Sequence, residues 1–260
     1  MTNNNYTDIL VDIYEVSPFM SANREEATDF YINEAKKNGE KVLEFGTATG
    51  LLTIPLAKNG LYVETVDISK EMHHIVEKKI KDDNSILRSN INLVLEDMIT
   101  YKNESIKFDT VIIADNALLA ADTFNKQIKV LKNAYNHLKK GGKLILDIFS
   151  PDIELLAKGY DIKSDTFYVP NLDKFVFAQT FTQVHQLPQI LDISFTHDEI
   201  GQNNIVDKRH VSNIKFRYIF PMELILMLNL CKFKINNIYG DFNYGKRKNP
   251  KSKQILIAEK

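Results

Sequence analysis

The sequence predicts an α/β protein built on a parallel sheet, with an antiparallel β segment inserted late in the chain. Three observations carry that expectation. Between Lys41 and Phe149, short β-branched apolar runs alternate with helical patterns, as repeated strand–helix units require. From Lys174 to Phe220 the pattern changes to long runs rich in Phe, Val, Ile and Thr. After Pro221 the helix–strand alternation resumes, so the antiparallel segment interrupts the α/β core rather than following it.

Taken in order, Asp8–Glu15 and Glu25–Asn38 read as helices, separated by a break at Pro18, and together they suggest an N-terminal flap. Five core strands follow at 41–45, 61–67, 91–95, 108–114 and 143–149, each apolar enough to be buried on both faces. The helices between them are expected at 51–58, at 69–82 with Ser69 as N-cap, and at 123–140, closed by Gly141-Gly142. The insertion carries strands at 174–184, 190–200 and 205–220, the last two joined by a Gly-Gln-Asn-Asn turn at 201–204. A helix at 222–231 and strands at 234–239 and 254–259 complete the core. The expected organisation is a flap at 1–40, a core at 41–151 and 221–260, and an insertion at 152–220.

Composition excludes several classes of function. The 260 residues are 44% hydrophobic and 26% charged, as in an ordinary globular domain. Lys and Arg number 33 against 34 Asp and Glu, and this balance creates no global field toward nucleic acid or anionic lipid. A single cysteine, Cys231, leaves no disulfide framework within the chain, no four-cysteine zinc site and no three-cysteine cluster motif. The first residues lack a basic segment followed by an apolar run, and no stretch nears the roughly 18 apolar residues of a membrane span. The expectation is a cytoplasmic protein without a membrane partner.

The chemistry concentrates at the first strand, which runs through Glu44-Phe45-Gly46-Thr47-Ala48-Thr49-Gly50 into a helix. Glycines there allow a tight turn and close approach of backbone to a nucleotide-like ligand. The dinucleotide fingerprint needs glycines at positions one, three and six, where this chain has Gly46, Ala48 and Leu51, so nicotinamide and flavin lose ground. The phosphate-cradling Gly-Lys-Ser/Thr ending is absent, because Leu51-Leu52 follow Gly50. Asp67 closes the second strand 17 residues beyond Gly50, where a carboxylate can accept from both hydroxyls of a ribose. Asp97 closes the third strand and can accept from an adenine amino group, while the amide of Met98 serves a ring nitrogen. Acidic strand ends at Glu44, Asp67 and Asp97 outline an adenosine site with no provision for a pyrophosphate, which S-adenosylmethionine fits.

On these residues the chain resembles the class I S-adenosylmethionine-dependent methyltransferases, from about Tyr6 to Lys260. LEFGTATG is similar to the family's first motif, VDIS to its second, LEDM to its third, FDTVIIADNALL to its fourth, and HLKKGGKLILDIFSP to its strand-five signature. The departure is Ala48, where many members carry a central glycine; alanine is small enough to admit the cofactor. The resemblance implies a Rossmann-like, seven-stranded, mostly parallel sheet flanked by helices, with the antiparallel lid inserted between strand 5 and the following helix. It implies cofactor contacts from Glu44, Gly46, Thr47, Ala48, Gly50, Asp67, Ile68, Asp97, Met98 and Asp115, and from Tyr14 reaching over the methyl donor, with S-adenosylhomocysteine as product. Within the family, the chain is similar to the small-molecule subset that includes sugar N-methyltransferases.

The expected reaction is transfer of a methyl group to a nitrogen or oxygen of a small metabolite or sugar derivative. Such an in-line displacement depends on alignment in a dry site, and the nucleophile must first lose its proton. Tyr14, Asn116 and His185 are the catalytic candidates, with Asp115 beside Asn116 at the end of strand 4, and His197 and His210 as further titratable groups of the insertion. Each of the three histidines is more often a solvated strand residue. Aromatic residues of the insertion suggest a lid or a homodimer interface. Asp109 reads as a strand-start cap, His73-His74 as solvated helix surface, and the basic run at Lys246, Arg247, Lys248, Lys251 and Lys253 as a solvated loop. No metal and no nucleic-acid partner are expected. The alternatives are a tRNA or other nucleic-acid methyltransferase using that loop, and a catalytically silent S-adenosylmethionine-binding regulator.

Overall fold

The computed structural model describes residues 13–17, 24–83 and 85–260. These residues form two sheets. The helices are α1 (Arg24–Asn38), α2 (Thr53–Lys58), α3 (Lys70–Asp82), α4 (Phe124–His137), α5 (Ile153–Lys158) and α6 (Pro221–Leu230). The strands of the larger sheet are β1 (Lys41–Phe45), β2 (Tyr62–Asp67), β3 (Ile91–Leu95), β4 (Phe108–Ile113), β5 (Leu138–Ile148), β10 (Lys234–Tyr239) and β11 (Gln254–Glu259). The four-stranded sheet holds β6 (Tyr160–Val169), β7 (Lys174–His185), β8 (Ile190–Ile200) and β9 (Val206–Arg217).

The described residues divide into two compact units, one of Arg24–Pro151 with Ile219–Lys260, the other of residues 13–17 with Asp152–Tyr218. In the first, the strand order is β10-β11-β5-β4-β1-β2-β3, and β11 alone runs antiparallel to its neighbours. Val42, Val63, Val111, Ile112 and Leu144 are fully enclosed, which accounts for the unbroken apolar runs of these strands. Each such side chain contributes roughly 1.5–3 kcal/mol of burial. Helix starts follow the side chains that cap them: Ser69 Oγ accepts from Met72 N at 3.2 Å, and Thr123 Oγ1 from Lys126 N at 3.2 Å. The parallel order reverses direction between β1 and β4, so the loops after these two strands open a crevice at the carboxyl edge.

Several expectations are corrected. The expected flap at 1–40 is split, because residues 13–17 count with the four-stranded sheet whereas α1 counts with the larger one. Ile13 is buried against Val169 and Val176, and this apolar contact draws its segment to that unit. Most of the expected helix at 8–15, and Pro18, lie outside the described residues. Helix α4 stops at His137, and β5 begins at Leu138 instead of 143, because the backbone of Gly141-Gly142 exchanges hydrogen bonds with Lys260 and so extends the strand. The insertion has a fourth strand, β6, with exposed or half-exposed side chains at nearly every position and hence no apolar alternation to read. Ten-residue antiparallel pairing with β7 defines it instead.

Within the four-stranded unit, β7 buries alternate residues Val176, Ala178, Thr180 and Val184 while Phe175 and Phe181 stand exposed. On β8, His197 lies opposite His210 of β9, is only 2% exposed, and has no hydrogen-bond partner for Nδ1. Burial, and then the like charge of His210, push its pKa down to about 4 against the attraction of Asp198. Because the folded-state value lies below the ordinary 6.5, the unfolded chain binds the extra proton between these limits. Stability is therefore complete above pH 6.5 and falls as pH drops toward 4. Urea denaturation across that range is expected to show a shallower pH dependence for His197→Phe than for the wild type; identical slopes would refute the assignment.

Candidate active site

The turn after β1 takes its shape from three left-handed residues. Gly46 has φ +93°, Ala48 +46° and Gly50 +79°. A Cβ added to Gly46 would lie 3.1 Å from Ala117 Cβ, and one added to Gly50 would lie 3.1–3.3 Å from Val76 and Ile54. Glycine is thus required at 46 and 50 for both conformation and space. Ala48 carries its methyl group in the same backbone region, a cost of roughly 1–2 kcal/mol. Asp67 offsets it, since Oδ2 accepts from Ala48 N at 3.0 Å while Oδ1 accepts from Ser69 N at 2.9 Å.

Beneath the loop, Glu44 is 2% exposed and accepts from Thr53 Oγ1 at 2.5 Å and Thr65 Oγ1 at 2.9 Å, and Thr65 shares a 2.6 Å hydrogen bond with Thr47. Burial pushes the Glu44 carboxyl up to about 7, although the two threonine hydroxyls pull it down. Glu44 and Thr47 therefore brace the loop from below. Thr49 is buried with no partner for its hydroxyl, and Lys79 Nζ donates to its carbonyl at 2.9 Å.

The carboxyl ends of β2 and β3 supply the next wall. Asp67 has about two acceptor positions left after its two backbone contacts. Ile68 and Leu95 are each 54% exposed, an apolar surface of the kind a purine face covers. Asp97 is exposed, and its Oδ1 accepts from Ile99 N at 2.7 Å. The carbonyl of Met98 is fastened by Asn133 Nδ2 at 2.8 Å, and the same amide donates to the carbonyl of Tyr101 at 3.0 Å. A glycine turn, a partly committed carboxylate, an exposed carboxylate and two open apolar side chains fit an adenosyl ligand.

At the end of β4, Asp115 and Asn116 both take positive φ, +45° and +67°. Asp147 of β5, 1% exposed, accepts from Asp115 N through Oδ1 at 2.7 Å, and its carbonyl accepts from Asn116 N at 3.1 Å. Tyr31 of α1 donates its hydroxyl to the same Oδ1, and Lys253 Nζ donates to Oδ2 at 2.8 Å. Tyr31 and Asp147 were not singled out from the sequence, and Lys253, read there as part of a solvated basic loop, is instead committed to Asp147. Asp147 sits within an apolar strand and Lys253 within a basic run, so a lone carboxylate in LILDIF was the available signal.

The structure brings Glu44, Gly46, Thr47, Ala48, Gly50, Asp67, Ile68, Asp97, Met98, Asp115 and Asn116 together in one unit and places Tyr14 and His185 in the other. His185 is an exposed residue at the end of β7, beside an open depression also lined by Phe181 and Lys215. His210 shares a 2.9 Å hydrogen bond between Nε2 and Glu199 Oε1. Asp109 accepts from the amides of Glu40 and Lys41 and from Lys139 Nζ, a structural cap on the start of β1. His73 departs from the expected solvated surface: it is 8% exposed with Nε2 unpartnered, because α3 turns Met72, His73 and Val76 inward. Burial lowers its pKa despite the attraction of Asp67 and Glu77. Among the described residues, no group of three or more His, Cys, Asp or Glu is placed to hold a metal.

Gly46→Ala is expected to weaken S-adenosylmethionine binding at least about tenfold while leaving the far-ultraviolet circular dichroism unchanged, since the clash is local. Wild-type affinity in calorimetric titration would show that the Gly46–Ala117 approach does not shape the cleft.

Residues 42–142 match the family model described as a methyltransferase domain. Over 188 residues the chain is 27% identical to the cypemycin N-terminal methyltransferase of Streptomyces sp, covering 72% of this chain and 73% of that protein. The structure of the CcbJ methyltransferase from Streptomyces caelestis superposes with a TM-score of 0.81 at 20% identity, covering 96% of this chain and 95% of that one. The structure of CalS10, an amino pentose methyltransferase from Micromonospora echinaspora, gives a TM-score of 0.67 at 14% identity, covering 91% and 89%. Residues 42–142 are thus a methyltransferase domain, and the chain has the fold of the solved S-adenosylmethionine-dependent methyltransferases it superposes on.

Proposed function

We propose that the chain methylates an amine nitrogen of a small polar metabolite or sugar derivative, with oxygen as the lesser alternative. The observation that carries this reading is the match in fold to the amino pentose methyltransferase over nine-tenths of the chain, which takes in the four-stranded sheet as well as the core. The name of the cypemycin relative places its methylation at an N-terminus. When bound, S-adenosylmethionine supplies an electrophilic methyl group on a sulfonium. The chain holds that group through the glycine turn and through Asp67, Asp97 and Met98, and alignment accounts for most of the acceleration. Asp115, exposed at the end of β4, places negative charge where an ammonium acceptor is attracted before it loses its proton. Tyr14, Asn116 and His185 remain the catalytic candidates of this reading.

A nucleic-acid substrate is less favoured. Two of the five cations in the basic run are committed within the protein, Lys253 to Asp147 and Arg247 Nη2 to Ser150 Oγ at 3.0 Å. Among the described residues no helix is long and apolar enough to cross a membrane. A cytoplasmic location and a homodimer formed through the insertion belong to the same proposal, and sedimentation velocity reads the second directly.

Calorimetric titration is expected to show binding of S-adenosylmethionine and S-adenosylhomocysteine but not NAD. Asp67→Ala should weaken both by about tenfold or more, with its thermal unfolding still cooperative; undiminished affinity would refute the ribose assignment. A homocysteine-release screen should then give turnover with amines or amino sugars. Turnover with bulk tRNA alone would favour the nucleic-acid alternative, and binding without turnover on any acceptor the silent regulator.

A further inference from the structure

We infer that Asp147 is the positioning residue of the methyl-donor cleft: clamped by Lys253 and Tyr31, it holds the Asp115–Asn116 corner in its left-handed turn against the glycine loop. The inference rests on the assignment of that cleft to S-adenosylmethionine. Two consecutive non-glycine residues at φ +45° and +67° are costly and persist only where their surroundings over-determine them. The surroundings do so here through β5. Asp147 takes the Asp115 amide on its carboxylate and the Asn116 amide on its carbonyl, and Asn116 Oδ1 in turn accepts from Phe149 N at 2.7 Å. The Cβ of the next residue, Ala117, lies 3.1 Å from where a Cβ at Gly46 would stand, so the corner and the glycine turn are in close contact. A corner that relaxed would move the wall of the cleft.

The clamp on Asp147 draws on three distant parts of the chain: α1 through Tyr31, β5 itself, and the segment before β11 through Lys253. A carboxylate that is 1% exposed is held only if donors and a cation compensate it, and Lys253, Tyr31 and the Asp115 amide provide them. Burial lowers the Lys253 ammonium, but the charge and hydrogen bond of Asp147, with Asp115 behind, carry its pKa above the ordinary value. Burial and then Asp147 raise the Tyr31 phenol well above its ordinary range, so it remains a donor. The clamp therefore stays assembled across the neutral range.

The test uses the full chain and S-adenosylmethionine as the calorimetric probe, with Asp147→Asn and Lys253→Met. Both variants are expected to bind about tenfold more weakly while keeping native circular dichroism. Adding Asn116→Gly to Asp147→Asn should recover most of the lost affinity, because glycine takes a positive φ without cost; a merely structural role for Asp147 would not respond in this way. Should Asp147→Asn fail to fold, Tyr31→Phe removes one donor alone and is expected to weaken binding about threefold. Unchanged affinity in the folded variants, or a loss that Asn116→Gly leaves untouched, overturns the inference while the cofactor site stands. A wild-type chain that does not bind the probe overturns the cofactor reading, and this inference with it.

Discussion

The carboxyl ends of β1 and β4 approach so closely that a Cβ at Gly46 would stand only 3.1 Å from that of Ala117, and the architecture of the cleft depends on that approach. It requires a positive φ on both sides, at Gly46, Ala48 and Gly50 in one loop and at Asp115 and Asn116 in the other. Only two of the five are glycine-tolerant by composition. The remaining three are held by Asp67 and Asp147: their carboxylates accept from the amides of Ala48 and Asp115 at 3.0 and 2.7 Å, and the Asp147 carbonyl accepts from Asn116 N at 3.1 Å. Strain at a functional edge is here balanced by charge-assisted hydrogen bonds from the neighbouring strands.

The buried carboxylates of the sheet are stabilised in different ways, with different consequences for charge. Glu44 has neutral threonine donors and no cation, so burial prevails and its pKa rises to about 7. Glu64 is equally enclosed, but hydrogen bonds from Tyr101, Asn103, Asn92 and Tyr62 overcome burial and hold it below its ordinary value. Asp147 has the ammonium of Lys253. Burial thus dominates directly beneath the glycine turn, whereas hydrogen bonds and a cation compensate the carboxylates away from it.

The four-stranded unit follows a different logic. Along β7 residues alternate between a buried and an exposed face, and polar groups pair across strands: Arg209 grips Asp198 with two contacts of 2.6 Å, and Lys174 reaches both Glu199 and Asp207. Arg209 and Lys174 lie near the surface, where such pairs contribute register more than stability. His197 is the exception, a buried imidazole kept neutral by its surroundings.

Much of the molecule was legible in the residue order. Apolar runs marked β1, β2, β4 and β5 because strands buried on two faces need no alternation, and Ser69 marked a helix start because its hydroxyl can replace a missing backbone acceptor. The glycine turn and the acidic ends of β2 and β3 were visible because φ sign and charge are properties of single residues. What the sequence could not express were relations between distant segments: β6, which exists through its pairing with β7; the inward turn of His73; and the joining of Tyr31, Asp147 and Lys253 from three parts of the chain. Local conformation is written in the residue itself, whereas burial and ion pairing depend on which surfaces folding brings together, and only the tertiary structure decides that.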